Sequence, residues 1–260
     1  MKIEVLFPEI CNLYGDLANV RYLKACLPEA EIVETSLKDE PLFARERPDL
    51  IYMGTTTERG QLLAIEALRP YREMLEAAIE EGVNFLLTGN AGEIFAREIV
   101  EEGEKVADGL CLLDFSARRK ARKRYNSLYL GEFIPPAGSS GAGHTGASAA
   151  GASGSEPLKI VGFKTVFGFG YGDLADQALF TTERGYAMNP DVKYEGIRRG
   201  NLFFTYIIGP FLILNPPFTR WFIEHVLGKT GIKLAYEEAA MDVYLTRLKE
   251  YSDPNTGFTY

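Results

Sequence analysis

The chain has 260 residues, is 46% hydrophobic and 25% charged, and carries a formal net charge of -8. These are ordinary globular values, so neither disorder nor a membrane protein is indicated for the chain as a whole, and the length allows about three quarters of the unfolded surface to be buried. The acidic balance argues against nonspecific nucleic-acid binding, and the odd, widely spaced Cys11, Cys26 and Cys111 fit neither a disulfide framework nor a zinc site.

Residues 3–7 read as an opening strand with no basic leader. An amphipathic stretch at 16–26 and a strand at 31–35 follow, which sets an α/β rhythm. The apolar run 49–53 closes on Gly54, and a helical pattern covers 58–81 with an interruption at Pro70. Residues 83–88 form another short apolar strand ending in glycine. Strands that are apolar at successive positions are those covered on both faces, as in a parallel sheet packed between helices. Residues 93–100 carry helical periodicity, so the Gly89 region is expected to be a strand-turn-helix junction.

The pattern then turns to β, with 110–113 and 125–130 flanking the basic run Arg118, Arg119, Lys120, Arg122, Lys123 and Arg124; antiparallel pairing is expected there. A block of like charge is ordinarily a solvated face, and docking to an anionic partner or a phosphate is the alternative. Residues 137–155 are Gly, Ser and Ala with one Thr and His144, too poor in apolar side chains to offset their ordering entropy, so a flexible insertion is expected. Strand-like segments resume at 158–164 and 201–208, and helical stretches at 216–227 and 235–251 close the chain. The glycine-rich 167–172 lacks the Gly-Lys-Ser/Thr ending of a phosphate loop and reads as a turn or bulge with aromatic packing. The longest apolar stretch, 202–214, is broken by Gly209 and Pro210 and is too short to span a bilayer, so a cytoplasmic protein without a membrane partner is expected.

Four stretches carry a resemblance. They are Asn12-Leu13-Tyr14-Gly15-Asp16 with Asn19; Asp49 to Gly54 leading to Glu58, Arg59 and Gln61; Gly109-Leu110 with Leu112-Leu113-Asp114; and Glu195 to Asn201 followed by Thr205-Tyr206, Gly209-Pro210, Asn215-Pro216 and Trp221. In this order and spacing the chain resembles the cobyric acid synthase-like (CobB/CobQ-type) class I glutamine amidotransferases. Within them it is most similar to the subunit type that works with a Mur-ligase-like partner in lipid II isoglutaminyl synthase. The resemblance implies one α/β domain over residues 1–260, with a mostly parallel central sheet flanked by helices. It implies no metal or other cofactor, and a ligase-like partner in bacterial peptidoglycan precursor amidation or a cobyrinate-type pathway.

The resemblance also locates losses. Amide hydrolysis in the family needs a cysteine on a sharp strand-to-helix turn, a histidine base and backbone N–H groups for the oxyanion. The family's Cys-Gly-Gly-aromatic-Gln corresponds to Gly89 through Glu93, which puts Gly89, or Asn90 after a one-residue slip, in the nucleophile slot and Glu93 in the glutamine slot. The base of Thr-Tyr-Leu-His-Gly-Pro corresponds to Ile208, and a second histidine, in Gly-Phe-Glu-Asn-His, to Val166. The glycine-rich oxyanion loop reads Gly54-Thr55-Thr56-Thr57. No residue is assigned a catalytic role: Cys11 has no base, Cys26 and Cys111 sit in apolar periodic contexts that suit a core, and His225 suits a helix C-terminus. The expectation is therefore a degenerate amidotransferase-like subunit. The alternatives are an enzyme with altered chemistry, using ammonia from a partner or Glu93 directly, and a small-molecule sensor in the vestigial pocket.

Overall fold

The computed structural model describes residues 1–136 and 156–259. The expected insertion at 137–155, with His144, lies outside the described residues.

The first half delivers the alternation read from the sequence: β1 (Lys2–Leu6), α1 (Ala18–Cys26), β2 (Glu31–Thr35), β3 (Leu50–Met53), α2 (Glu58–Leu68), α3 (Arg72–Glu80) and β4 (Asn84–Thr88). Pro70 ends the long helical pattern as expected, because it sits in a 3-10 turn over Arg69–Tyr71 that separates α2 from α3. Beyond β4 come β5 (Glu98–Glu101), β6 (Glu104–Asp108), β7 (Ser116–Arg119), β8 (Tyr125–Phe133), β9 (Leu158–Val166), β10 (Gly168–Tyr171), β11 (Ala178–Arg184), β12 (Tyr194–Arg199) and β13 (Leu202–Thr205). The chain closes with the short α4 (Phe211–Leu214) and α5 (Pro216–Trp221), a π-turn over Phe222–Val226, and α6 (Glu237–Ser252).

Nine strands form one sheet in the order β2-β1-β3-β4-β13-β12-β11-β8-β9, and β10-β7-β5-β6 form a second. The expectation of a mostly parallel sheet is corrected here. The four pairings from β2 to β13 are parallel, but the four from β13 to β9 are antiparallel. For β12 and β13 the reason is the length of the connection. β12 passes to β13 through Gly200-Asn201 alone, with Gly200 at φ 58, and two residues can only return the chain antiparallel; a parallel crossover needs a dozen or more. Two local readings also change. The stretch read as a helix at 93–100 is a 3-10 turn over Gly89–Phe95 followed by β5, because Ile99 must enter the second sheet. Residues 110–113 are irregular rather than strand, their backbone hydrogen-bonding to Ile94, Ala96 and Phe95.

Both faces of the parallel half are covered, which accounts for strands that are apolar at every position. On β3, Ile51 and Met53 join a core with Ile65, Leu68, Phe85 and Leu87. Leu50 and Tyr52 point the other way, to Leu23, Phe203, Phe218, Trp221 and Phe222. The antiparallel half is backed by α6, where Tyr244 and Tyr251 pack with Leu130, Val161 and Phe258. No helix of the described residues is long and apolar enough to cross a membrane.

Registers bring the carboxyl ends of the parallel strands into line, with Met53 beside Leu87 and Thr88 beside Thr205. In open α/β sheets this edge is where ligands bind. The segments that follow β1, β3, β4 and β13 converge there and build the site.

Candidate functional site

The turn after β4 has the backbone of a sharp elbow. Gly89 adopts φ +60, a left-handed conformation that costs an L-residue about 1–2 kcal/mol. Space excludes a side chain there as well: a Cβ on Gly89 would lie 1.9 Å from Thr55 Oγ1 and 2.8 Å from both Thr55 Cβ and Cγ2. Gly89 and the loop at 54–57 therefore fit one another, the threonine occupying the volume that a side chain at 89 would need.

Thr55 is held in this position from beneath. Asp16, fully buried, accepts from Thr55 N and Thr55 Oγ1, both at 2.8 Å, and from Thr88 Oγ1 at 2.6 Å through Oδ2, while Asn19 Nδ2 reaches its Oδ1 at 3.0 Å. Tyr52 donates to the Asp16 carbonyl at 2.8 Å and lies 3.0 Å from Thr88 Oγ1. Burial raises the Asp16 carboxyl above its ordinary value, and the hydrogen bonds from Thr88 and Thr55 pull the other way. Gly54 is required by the same cluster, since a Cβ there would meet the Cys11 carbonyl at 2.6 Å.

Asn90 does not face a substrate with a free amide. Its Oδ1 accepts from Thr56 N at 2.9 Å and its Nδ2 donates to Thr56 O at 2.9 Å, a two-point clamp on the same loop. The backbone N–H groups of Thr55 and Thr56 are thus both engaged within the protein, the first by Asp16 and the second by Asn90.

Glu93 lies at the cavity floor, 5% exposed. Gln61 Nε2 donates to its Oε2 at 2.7 Å and the Tyr206 hydroxyl to its Oε1 at 3.0 Å. Burial raises the Glu93 carboxyl, opposed by those two hydrogen bonds and by the Arg119 charge. Gln61 Oε1 accepts from Arg119 Nη1 at 2.8 Å, and Arg119 Nε pairs with Glu101 at 2.8 Å. Beyond Tyr206 the polar chain continues: Lys164, fully buried, sits 5.1 Å from the Tyr206 ring and pairs with the fully buried Glu195 at 2.5 Å. Burial lowers the Lys164 ammonium and the Glu195 charge works against that. Glu195 also accepts from Tyr206 N at 2.6 Å.

These groups bound a cavity of about 260 Å³ whose lining includes Tyr14, Thr55, Thr56, Thr57, Glu58, Asn90, Glu93, Arg119, Arg124 and Val166. Of the six positions singled out from the sequence, Asn90, Glu93 and Val166 line it. Gly54 and Gly89 lie just behind the lining, packed against Asp16 and Thr55. Ile208 is elsewhere: it is 2% exposed and its N–H bonds to the Phe163 carbonyl at 2.9 Å, fastening the exit of β13 to the edge strand β9.

None of the thiols, nor the described imidazole, lines this cavity, although the Cys11 thiol lies behind it against Thr56. Cys11 is buried near it, and burial pushes its thiol up to about 12. Cys26 is buried in the α1 core, while Cys111 is exposed, not in the core as its apolar neighbours implied, because the backbone turns there with φ 54. His225 is exposed in the π-turn, its ring 6.0 Å from Trp221. The glycine-rich 167–172 is not the expected turn or bulge but carries the strand β10, paired with β7 along its length; the expected aromatic packing is present, with Phe169 on Tyr125 and Tyr186.

Asp16, Gln61 and Tyr206 fall within the motifs that carry the resemblance, which give them no role, and the like charge around Arg119 suggests a solvated face. Arg119 is only 8% exposed. The signal was strand parity, since on β7 Ala117 and Arg119 share the buried face while Arg118 alternates outward.

No family profile matches the chain. It is 26% identical over 231 residues to the lipid II isoglutaminyl synthase (glutamine-hydrolyzing) subunit GatD of Staphylococcus aureus (strain N315), a match that covers 87% of this chain and 84% of that protein. Among solved structures it is similar to PurLQS from Thermotoga maritima, with a TM-score of 0.51, 13% identity, and coverage of 95% of this chain and 98% of that one. It is also similar to a glutamine amidotransferase crystal structure, with a TM-score of 0.51, 16% identity, and coverage of 87% and 99%. The curated relative and that solved structure are glutamine amidotransferases, and the mixed α/β architecture with its large central sheet is of the same kind.

Proposed function

We propose that this chain is a catalytically degenerate amidotransferase-like subunit of the cobyric acid synthase-like type, a single domain over residues 1–260. In this reading it works in the cytoplasm bound to a Mur-ligase-like partner in the amidation of a cell-wall precursor. The observation that carries the reading is the mutual fit of Gly89 and Thr55: the slot aligned with the nucleophile has no side chain, and the threonine side chain stands in its place. The engagement of Thr55 N and Thr56 N by Asp16 and Asn90 supports it, because an oxyanion would need donors left free for it. The positions aligned with the family's histidines, Val166 and Ile208, supply no proton acceptor. The likeness to GatD supports the partner and the pathway. Glu93 is not read as a substitute nucleophile, since each of its oxygens already accepts a hydrogen bond.

The test is complex formation. The chain, co-expressed with a Mur-ligase-like protein from the same organism, is expected to elute as a stable stoichiometric complex from size exclusion. Separate elution at micromolar concentration would refute the subunit reading.

One observation favours a second reading, a sensor of small polar molecules. The cavity is open to a ligand, and among the described residues Arg124, which lines it, has no hydrogen-bond or ion-pair partner. A thermal shift with glutamine but without ammonia release would favour the sensor, since binding to the native state at a hundredfold excess over Kd stabilises it by about 2.7 kcal/mol.

A further inference from the structure

Most of the basic run lies outside the site, with only Arg119 and Arg124 in the cavity lining. Arg119 turns inward to Gln61 and Glu101, but Arg118 near the end of β7 and Lys120, Arg122, Lys123 and Arg124 on the turn that joins β7 to β8 are all exposed. Among the described residues none of these five side chains forms an ion pair or a hydrogen bond. Many cations elsewhere do find a carboxylate: Lys2 pairs with Glu46, Arg72 with Glu76, Arg97 with Asp114, Lys105 with Asp108, and Lys159 with Glu132. Those without an ion pair among the described residues, such as Arg21, Lys38, Arg59, Lys193 and Lys249, are scattered along the chain rather than gathered in one run. In a chain of net charge -8, carboxylates are plentiful, yet this turn has collected none of them at its cationic tips.

Three of the five are nevertheless held in place. Arg118 lies 4.9 Å from the centre of the Tyr171 ring, Lys123 4.9 Å from Tyr125, and Arg124 4.7 Å from Phe167. A cation resting on a ring keeps its hydrogen-bond donors free while losing part of its rotational freedom before any partner arrives. Five like charges within seven residues repel one another, and an anionic partner would relieve that repulsion.

We propose that the β7–β8 turn is a docking platform for an acidic segment of a partner protein. The inference rests on the charge arrangement and does not depend on the amidotransferase reading. A long polyanion fits less well. The positive surface is confined to one turn and is flanked by the acidic β5–β6 hairpin, where Glu101 pairs with Arg119 and Glu102 accepts from Ala121 N at 3.2 Å. A nucleic acid or a membrane surface extending past the turn would meet those carboxylates and the net negative charge of the molecule, whereas a short Glu- or Asp-rich segment need not.

The experiment uses the full chain and a fluorescein-labelled poly-glutamate peptide, read by fluorescence anisotropy in low-salt buffer. Saturable binding is expected, with Kd rising about tenfold or more in Arg122→Glu/Lys123→Glu and by an intermediate amount in Arg122→Gln/Lys123→Gln. Lys193→Glu/Lys249→Glu, which removes two exposed cations elsewhere, is expected to stay within about twofold of the parent. Neither platform variant touches the cavity lining, and unchanged melting temperatures establish that the fold is retained. The proposal is overturned if the parent does not bind the peptide, or if the platform and control variants weaken binding equally. It is also overturned if phosphatidylglycerol vesicles or an oligonucleotide bind through Arg122 and Lys123 more tightly than the peptide does.

Discussion

Replacing Gly89 with alanine tests whether Thr55 occupies the place of a side chain at the elbow. The new methyl group would be born 1.9 Å from Thr55 Oγ1 in a backbone with φ +60. The left-handed conformation alone costs an alanine about 1–2 kcal/mol. Relief of the overlap requires Thr55 to swing away, which breaks its 2.8 Å hydroxyl bond to the buried Asp16 carboxylate, a loss of about 1.5–3 kcal/mol for a bond to a charged group. Gly89→Ala should therefore destabilise by about 2.5–5 kcal/mol, a large part of a typical native stability of about 5–15 kcal/mol. Thr55→Gly, which gives up the same hydroxyl bond and gains chain entropy in the unfolded state, should cost about 2–4 kcal/mol. In the double variant the overlap is gone and the Asp16 bond is lost once rather than twice, so the two costs should fall short of their sum by about 1.5–3 kcal/mol. Thr55→Ala should rescue less, because its Cβ still stands 2.8 Å from the added methyl. Urea denaturation of the four proteins gives the cycle directly. Additivity within about 0.5 kcal/mol would refute the claim that the two positions share one volume.

Lys164→Met should destabilise by about 3–5 kcal/mol because it strands the fully buried Glu195 without its cation, and Lys164→Met/Glu195→Gln should recover much of that in urea denaturation; no recovery would mean that the pair is not the source of the loss. The Glu93 carboxyl is raised by burial, so its contribution to stability is full below the ordinary carboxylate value and is lost as pH rises through the raised one. Glu93→Gln, which can still accept from Gln61, should accordingly gain on the parent as pH climbs from acid to neutral, and parallel stability curves would refute this. Of the three thiols, only exposed Cys111 should react promptly with a disulfide reagent in the native protein, since Cys26 is buried and Cys11 is both buried and pushed up to about 12; a second fast thiol on mass analysis would contradict the burial.

The parallel half of the fold was legible because strands such as 49–53, apolar at successive positions, announce cover on both faces. The direction of the remaining strands was not, because alternation is the same whichever way a strand runs, and Gly200-Asn201 was read as part of a motif instead of a two-residue turn. The helix at 93–100 failed for a related reason: a short apolar pattern does not separate a helical turn followed by an inward-facing strand from one helix. At the site, the residues that the proposed reading sets against the family's cysteine and histidines are legible as identities at Gly89, Ile208 and Val166. What identity could not give is the compensation, which is spatial. Thr55 and Gly89 are far apart in sequence, and only the packing reveals that one fills the space of the other. Arg119 was hidden in a run of like charge, where strand parity decided its direction and composition did not.

The most direct measurement is glutamate release from glutamine by the purified chain, alone and in complex with a Mur-ligase-like partner under conditions in which that partner turns over with free ammonia. The account predicts no release above the protein-free rate in either case. Partner-stimulated release that disappears on substitution of a residue lining the cavity would contradict it.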